Sequence, residues 1–315
     1  MKMANVGVII PVYNRSTTVL EALDSVAAQT VSPRSLVVVD DGSTDGTARA
    51  VEQWIAATPT EFPKRLLRQT NRGPSAARNR GTEEADACEL FAFLDSDDLW
   101  PRDFLERTCG AMAANLEAVA ATCDERYAVS DGVGPEFFRT LTYLDTRELA
   151  DNATRWHLLK YRGIMPATIV RAADFRRVGR YDETMLYGED RKLHLYLSAL
   201  GPWLHVPGEA VTVRLGVCQT RGEEGNLQLH GTPSNDFKQI RFIEEFLAHD
   251  WSRDFVFRDA CFRSLAVSWY TLGRALIRKR KTGSARKCFI RSIYWQRSFH
   301  KPWFRLARTY LPGFA

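Results

Sequence analysis

The amino-acid sequence predicts an α/β protein whose mainly parallel, Rossmann-like sheet is flanked by helices and followed by a C-terminal helical extension. Three observations support this fold class. Short apolar runs alternate with helically spaced apolar residues over roughly the first hundred positions, a pattern typical of βαβ units. Polar or acidic motifs directly follow several of these runs, and parallel sheets carry their ligand sites at that edge. From residue 236 onward the apolar spacing is helical throughout.

The first half of the chain contains four predicted strands and three predicted helices. The strands are short and rich in β-branched or aromatic residues, and are expected at residues 6–10, 36–39, 65–67 and 90–94. The helices are expected around residues 19–27, 48–55 and 74–84. Pro74 suits the first turn of the last helix, because its missing N–H has no partner there in any helix.

The second half is less regular. The predicted elements are a strand at 167–170, a short helix at 174–178, a helix at 189–200, and strands at 203–206 and 211–215. Residues 216–235 have little periodicity and several glycines, which indicates a mobile loop beside the site or a linker. We therefore expect one domain over residues 1–230, with halves of about 1–105 and 106–230, and a basic helical extension over 231–315.

Net charge is unevenly distributed. The chain carries +5, but residues 255–315 hold fourteen Lys or Arg and one acid, Asp259, so that segment is +13 and the remainder is −8. Six scattered cysteines without a Cys-x-x-Cys pair argue against a zinc site or a disulfide framework and favour a reducing cytoplasm. We find no secretory signal and no run of roughly eighteen apolar residues, so the chain is not expected to enter or span a membrane by itself.

The strongest chemical signal follows the strand at 90–94. Asp95, Asp97 and Asp98 crowd three carboxylates at the carboxyl end of a buried strand. Such carboxylates repel one another unless a hard cation such as Mg²⁺ or Mn²⁺ bridges them to phosphate oxygens. An ordinary Asp-rich turn is the alternative.

The first two strands also end in candidate ligand-binding residues. Pro11 and Tyr13 follow the first strand, where an exposed ring can stack on a nucleobase and a buried ring would only cover the sheet edge. Asp40 and Asp41 end the second strand. Helix capping by the residues after them explains the turn but not these two acids, and a carboxylate there can accept a hydrogen bond from a base N–H or a ribose hydroxyl.

Arg78 belongs to a motif that places three arginines near the start of the helix at 74–84. Its guanidinium can pair with a phosphate or a base carbonyl, and Gly73 would allow close approach of the backbone. For Arg72 and Arg80 a solvated basic face is the preferred interpretation.

These motifs, in this order and spacing, resemble glycosyltransferase family 2, a group of nucleotide-sugar-dependent inverting transferases with a GT-A fold. The resemblance covers about residues 5–105 closely and continues to about 215. There, Tyr187-Gly188-Glu189-Asp190 is similar to the acidic pair that carries the family's catalytic base. The C-terminal eighty or so residues lie outside the resemblance.

The resemblance implies a role for each matched residue. In the nucleotide site, Pro11 and Tyr13 would border the nucleobase with Tyr13 stacked on it, Asp41 would hydrogen-bond the base, and Arg78 would help to hold the nucleotide. Asp97 would ligate Mn²⁺ or Mg²⁺, with Asp95 nearer the ribose and the metal-bound water. Asp190 would be the general base, and Glu189 would orient it or contact the acceptor. Acids also suit the first turn of any helix, by about 0.3–1 kcal/mol, which is the structural alternative for this pair.

The expected function is inverting, non-processive transfer of one sugar from a nucleotide diphosphate sugar, with UDP-sugar the favoured donor class, to a hydroxyl of a glycan or lipid-linked acceptor. The chain lacks the Gln-x-x-Arg-Trp motif of processive synthases. It also lacks a histidine just after 211–215, which leaves a third metal ligand open; His230 is a candidate from the following loop. The alternatives are a nucleotidyltransferase and a non-catalytic nucleotide-sugar-binding partner of a glycan assembly complex.

The basic C-terminal segment has two interpretations, and both can hold. One is an amphipathic surface that docks on anionic lipid, which would place the protein in the cytoplasm and peripherally on the inner face of the plasma membrane. The other is a helical bundle with buried apolar stripes and solvated cations. Charge alone would also suit nucleic acid, but no binding motif supports that partner, and none is expected.

Overall fold

The structure, a computed structural model, describes residues 5–85, 87–130, 138–144, 146–160, 165–185, 188–215, 233–249 and 255–311. Its strands are β1 Val6–Val12, β2 Ser35–Asp40, β3 Lys64–Arg68, β4 Leu90–Phe93, β5 Ala120–Thr122, β6 Glu125–Ser130, β7 Phe138–Leu144, β8 Thr168–Arg171, β9 Trp203–His205 and β10 Val211–Leu215. Its helices are α1 Thr18–Ala27, α2 Thr47–Ala57, α3 Pro74–Glu84, α4 Phe104–Ala114, α5 Arg147–Asp151, α6 Ala153–Leu159, α7 Ala172–Arg177, α8 Glu189–Ser198, α9 Pro233–Ala248, α10 Phe255–Arg278, α11 Thr282–Trp295 and α12 His300–Arg308.

Seven strands form the main sheet, in the order β3-β2-β1-β4-β8-β5-β9. The first four strands run parallel to one another, whereas β8 is antiparallel to both β4 and β5. Parallel strands buried on both faces need near-continuous apolar sequences, and all seven residues of β1 are buried. The predicted α/β fold with a mainly parallel sheet, flanking helices and C-terminal helices is confirmed.

Helix α3 packs closely on the sheet because of a glycine. A Cβ atom at Gly81 would lie 2.5 Å from Cγ2 of Ile9 on β1 and 3.3 Å from Cγ2 of Val39 on β2. Any larger residue would push the helix away from the strands. Since Arg78 lies one turn earlier on α3, this close packing also sets how deeply its side chain is buried.

A second, three-stranded sheet has the order β10-β6-β7. Strand β10 runs parallel to β6, and β7 runs antiparallel to β6. A bridge between Leu99 and Thr212 connects β10 to the loop that follows β4. The second sheet is therefore attached directly to the loop that carries the predicted metal motif.

The chain divides into two compact units, one of Met1–Ala153 and Arg162–Gly225, the other of Thr154–Tyr161 and Asn226–Ala315. The second unit contains α9 to α12 and the segment Thr154–Tyr161, which the sequence had placed in the first domain. Its core includes Leu265, Trp269 and Phe289, all buried. These helices of the C-terminal segment thus bury apolar side chains, as the bundle interpretation expects.

Most residues of the predicted loop at 216–235 lie outside the described part of the chain, as do His230 and Tyr187. All five cysteines that the structure describes are free thiols. Among the described helices, none is long and apolar enough to cross a membrane.

Candidate functional site

The candidate site lies where β1, β2 and β4 end. The loop after β1 is fixed by Asn14, which is buried and has a left-handed backbone with φ 49°. Its backbone N–H donates to Oγ of Ser43 at 2.9 Å, and its side-chain oxygen accepts from the N–H of Thr44 at 2.9 Å. These bonds join the β1 and β2 loops. Tyr13 is half-buried in this loop, whereas Pro11 is buried within β1 and supports the loop from inside the strand.

Asp41 holds the loop that begins α3. It is 4% exposed, and Oδ1 accepts from Nε2 of Gln69 at 2.7 Å and from the N–H of Arg72 at 2.9 Å. Oδ2 accepts from the N–H of Gly73 at 2.8 Å, where φ is 89°. A carboxylate has about four acceptor positions. The described residues use three of these positions, and the predicted hydrogen bond from a nucleobase would take the fourth.

The three acids after β4 have different surroundings. Asp98 is 3% exposed and accepts from the N–H of Arg214 at 2.9 Å, which anchors β10. Burial and the charges of Asp97 and Asp95 raise the pKa of Asp98 well above its usual range. Asp97 keeps 26% of its side chain exposed, with Oδ2 3.6 Å from Nε of Arg15. Burial and the charge of Asp95 raise the pKa of Asp97, and Arg15 opposes part of this effect.

Arg78 is the centre of the site. Its side chain is only 5% exposed, and Nη2 donates to Oδ1 of Asp95 at 2.7 Å. Nη1 donates to Oε1 of Glu189 at 3.2 Å and lies 3.5 Å from Oδ1 of Asp190. The guanidinium also lies 5.1 Å from the ring centroid of Tyr181. Burial alone would lower the pKa of Arg78, but these carboxylates raise it well above its usual value. Both terminal nitrogens of Arg78 therefore donate to acids of the site.

Asp190 has the properties of a base that needs help to ionise. It lies in the first turn of α8, after Gly188, whose φ is 77°. The side chain is 24% exposed, and its buried Oδ1 lies 3.5 Å from Nη1 of Arg78. Burial and the neighbouring charge of Glu189 raise the pKa of Asp190 to about 8, although Arg78 opposes the shift. A carboxyl group with this pKa can change protonation state near neutral pH.

Asn79 positions the segment that leads to α8, and the sequence assigned it no role. Its Oδ1 accepts from the N–H of Tyr181 at 3.0 Å, and its Nδ2 donates to the carbonyl of Tyr181 at 3.0 Å. Asn79 follows Arg78 on α3. Asn79 therefore holds the backbone of Tyr181, whose ring contacts the guanidinium of the neighbouring Arg78. The only sequence signal was a poor helix former inside a predicted helix.

Glu125 is a second residue that the sequence did not identify. It begins β6, is 1% exposed, and its Oε2 accepts from the hydroxyl of Tyr127 at 2.7 Å. Its Oε1 is buried and accepts no hydrogen bond from the described residues. Burial and the charges of Asp95 and Asp190 raise the pKa of Glu125 well above its usual range, although the Tyr127 hydrogen bond opposes this. Glu125 therefore belongs electrostatically to the same site.

The predicted residues thus fall into three groups. Arg78, Asp95, Glu189 and Asp190 form one connected network. Asp97 is adjacent to that network through its charge interaction with Asp95. Tyr13 and Asp41 lie on the neighbouring loops. Within the described residues, no three His, Cys, Asp or Glu side chains converge as a metal cluster.

The model of "Glycosyl transferase family 2" matches residues 7–172, slightly more than half of the chain. An uncharacterized glycosyltransferase of Rickettsia felis is 41% identical over 101 residues, which is 32% of this chain and 16% of that protein. Glycosyltransferase AglE of Haloferax volcanii is 31% identical over 146 residues, covering 45% of this chain and 47% of AglE. The chain therefore matches less than half the length of either relative.

Two solved structures share the fold over nearly the whole chain. Residues 1–349 of Staphylococcus aureus TarS, in complex with UDP-GlcNAc, give a TM-score of 0.61 at 19% identity, with 94% of this chain and 93% of that chain covered. Mannosyltransferase PcManGT from Pyrobaculum calidifontis, in complex with GDP-Man and Mn²⁺, gives 0.57 at 18% identity, with 98% and 85% covered.

The fold is that of a GT-A glycosyltransferase. The chain belongs to glycosyltransferase family 2. The family expected from the sequence motifs is confirmed.

Proposed function

We propose that the protein is an inverting, non-processive glycosyltransferase that moves one sugar from a nucleotide diphosphate sugar, with UDP-sugar as the donor class, to an acceptor hydroxyl. One observation carries the proposal. Arg78 joins Asp95, at the end of β4, to Asp190, at the start of α8. Asp95, which is suited to the diphosphate side of the donor, and Asp190, which is suited to remove a proton from the acceptor, therefore share the buried guanidinium of Arg78.

The loops after β1 and β2 are proposed to bind the nucleobase. Tyr13 is half-buried and can offer a ring face, and Asp41 keeps one acceptor position for a base N–H. Because Asn14 ties these loops together, both groups are held before the ligand arrives, which lowers the entropy cost of binding.

Asp190 is proposed as the general base. The acceptor hydroxyl attacks the anomeric carbon while its proton passes to the carboxylate of Asp190, and the anomeric C–O bond to the diphosphate breaks. Attack from the face opposite the leaving group gives inversion. A positioned base contributes about 10²–10⁴-fold to such a step. Glu189, held by Arg78, orients this carboxylate or contacts the acceptor.

Asp97 and Asp95 fit a hard divalent cation, Mn²⁺ or Mg²⁺. Both carboxylates are partly exposed, and the charge of Asp95 raises the pKa of Asp97, so a cation would relieve their repulsion. Such an ion supplies positive charge that stabilises the departing diphosphate. Asp98 is excluded as a ligand in this proposal because it is buried against β10. PcManGT, a neighbour in fold, was solved with Mn²⁺.

The proposed acceptor is a glycan or lipid-linked hydroxyl. The Rhizobium meliloti relative named succinoglycan biosynthesis protein ExoW, 38% identical over 107 residues, makes polysaccharide assembly a reasonable setting. The matched region is 33% of this chain and 32% of ExoW. We place the protein in the cytoplasm, with the C-terminal helices at the anionic inner face of the plasma membrane.

Calorimetric titration of the purified protein with UDP, and with GDP as comparator, tests the donor site. Each titration is run with Mn²⁺ and with chelator. Tight uptake of UDP that requires metal supports the proposal, and uptake of GDP alone would reassign the donor class. Binding of neither nucleotide would reject a donor site at these loops.

Turnover then separates a transferase from the two alternatives. Incubation with UDP-sugars and measurement of released UDP distinguishes an enzyme from a nucleotide-sugar-binding partner, which binds without release. A nucleotidyltransferase would instead release pyrophosphate from a nucleoside triphosphate and a sugar phosphate.

A further inference from the structure

Helix α12 has three distinct faces. Pro302 and Thr309 are buried, and Nε of Arg286 on α11 donates to Oγ1 of Thr309 at 3.1 Å, which fixes that side of the helix. The other two faces point away from this anchored side. Residues three, four, seven or eight apart share a face of a helix, which sorts the remaining side chains into an apolar group and a cationic group.

The apolar face is exposed. The aromatic and aliphatic side chains on it and on the turn that follows are 50–65% exposed: Trp303 50%, Phe304 65%, Tyr310 64% and Leu311 60%. Isolated exposed apolar residues are ordinary, but four along one helix face form a patch. Trp303 is also held in place, because its Nε1 donates to the carbonyl of Arg297 at 3.1 Å.

The adjacent face is cationic. Lys301, Arg305 and Arg308 recur at helical spacing, and the guanidinium of Arg308 lies 5.7 Å from the ring centroid of Phe304. Residues 260–315 contain no Asp or Glu, so this stretch of sequence has a strongly positive net charge. Exposed aromatic rings beside a row of cations match the boundary of a membrane whose headgroups are negatively charged.

We propose that α12 and the following turn form a membrane-docking surface, with Trp303, Phe304, Tyr310 and Leu311 entering the headgroup region of an anionic bilayer and Lys301, Arg305 and Arg308 contacting its phosphates. This inference refines the membrane partner proposed above and names its residues. The apolar residues of α10 are excluded from the surface, since Leu265, Trp269 and Leu272 are buried.

Flotation of the full-length protein with vesicles tests this surface without donor, metal or turnover, so its failure and a failure of sugar transfer are distinguished. We expect binding to vesicles rich in phosphatidylglycerol at low salt, weaker binding as salt screens the charges, and little binding to pure phosphatidylcholine. A double substitution, Trp303→Ser with Phe304→Ser, should reduce binding by about tenfold or more, because two aromatic rings no longer enter the bilayer.

Two matched controls keep the test specific. Leu116→Ser removes an apolar side chain that is 76% exposed in the other unit and should leave binding unchanged. Arg49→Gln with Arg102→Gln removes two exposed cations there, and should have less effect than Lys301→Gln with Arg308→Gln. Circular dichroism melting confirms that each variant is folded.

Two outcomes would overturn the proposal. One is failure of the wild-type protein to bind anionic vesicles at low salt, and binding of an oligonucleotide under the same conditions would then point to nucleic acid. The other is binding that survives both α12 double substitutions.

Discussion

Arg78 donates a hydrogen bond from Nη2 to Asp95 at 2.7 Å, and Nη1 of the same guanidinium lies 3.5 Å from Asp190. The two acids therefore share one buried cation. The charge of Asp95 also raises the pKa of Asp190. Neutralising Asp95 should therefore favour the ionised form of Asp190 for two reasons. It removes a repulsive negative charge, and it leaves the Arg78 guanidinium to interact more strongly with Asp190.

Asp190→Asn tests the base directly. The amide is nearly isosteric but accepts no proton, so we expect turnover to fall by about 10²–10⁴-fold while metal-dependent UDP affinity stays within about twofold. Steady-state release of UDP and calorimetry measure the two effects. Unchanged turnover would remove Asp190 from the mechanism.

The pH dependence of kcat/KM should reflect the same residue. A base acts only when deprotonated, and the pKa of Asp190 is about 8 in the free protein. The rate should therefore rise with pH, about tenfold per unit below about 8, and level off above it. A profile that is flat from pH 6 to 9 would contradict this assignment.

Arg78→Gln should move the rising part of the pH profile of kcat/KM to higher pH, since Arg78 is the cation that lowers the pKa of Asp190. Breaking a buried ion network also costs about 3–5 kcal/mol of unfolding free energy, so Arg78→Lys, which keeps the charge, is the folded companion variant. Arg80→Gln, on the same helix, is the matched control. If Arg78→Gln folds and its pH profile coincides with that of Arg80→Gln, Arg78 does not set the pKa of Asp190.

The sheet was largely predictable because its information is local. Helix α3 was expected at 74–84 and is observed at Pro74–Glu84, and the strand expected at 90–94 is β4, Leu90–Phe93. Apolar runs and helical spacing reveal such elements from neighbouring residues alone. The antiparallel direction of β8 could not be predicted in this way, since it depends on pairing with strands distant in the chain.

The electrostatics of the site were not predictable for the same reason. Arg78 was expected to help hold the nucleotide, and that role stays a prediction; its acidic partners could not be predicted, because they lie 17 and 111 positions away in sequence and meet it only after folding. Glu125 lies in a stretch where the sequence pattern predicted no element and no site residue. Glu125 lies in β6, which pairs with β10, and its pKa is raised by burial and by the charges of Asp95 and Asp190; periodicity reports none of these long-range relationships.

Asp97→Asn tests the proposed cation site. Loss of a residue that only supports a metal ligand lowers metal affinity by about 10–100-fold. If Asp97 is itself a ligand, metal-dependent UDP affinity should fall by at least that factor. Asp98→Asn is the neighbouring control: an amide oxygen can still accept the hydrogen bond from Arg214, so the metal effect should persist. Equal UDP affinity of wild type and Asp97→Asn, titrated with Mn²⁺, would exclude Asp97 as a ligand.

Glu125→Gln should change how stability depends on pH. Because the folded-state pKa of Glu125 is raised, the folded protein holds a proton that the unfolded chain releases above its ordinary pKa of 4.5. The wild-type protein therefore loses up to about 1.4 kcal/mol of unfolding free energy per pH unit above that value, through this group alone. Glutamine carries no such proton and can still accept a hydrogen bond from the Tyr127 hydroxyl.

Urea denaturation at pH 5 and pH 8 measures this effect. The loss of unfolding free energy between the two pH values should be smaller for Glu125→Gln than for wild type, whereas Glu117→Gln, at an exposed position, should behave like wild type. Equal losses in all three proteins would mean that Glu125 is ionised in the folded state and that its carboxylate is compensated within the site.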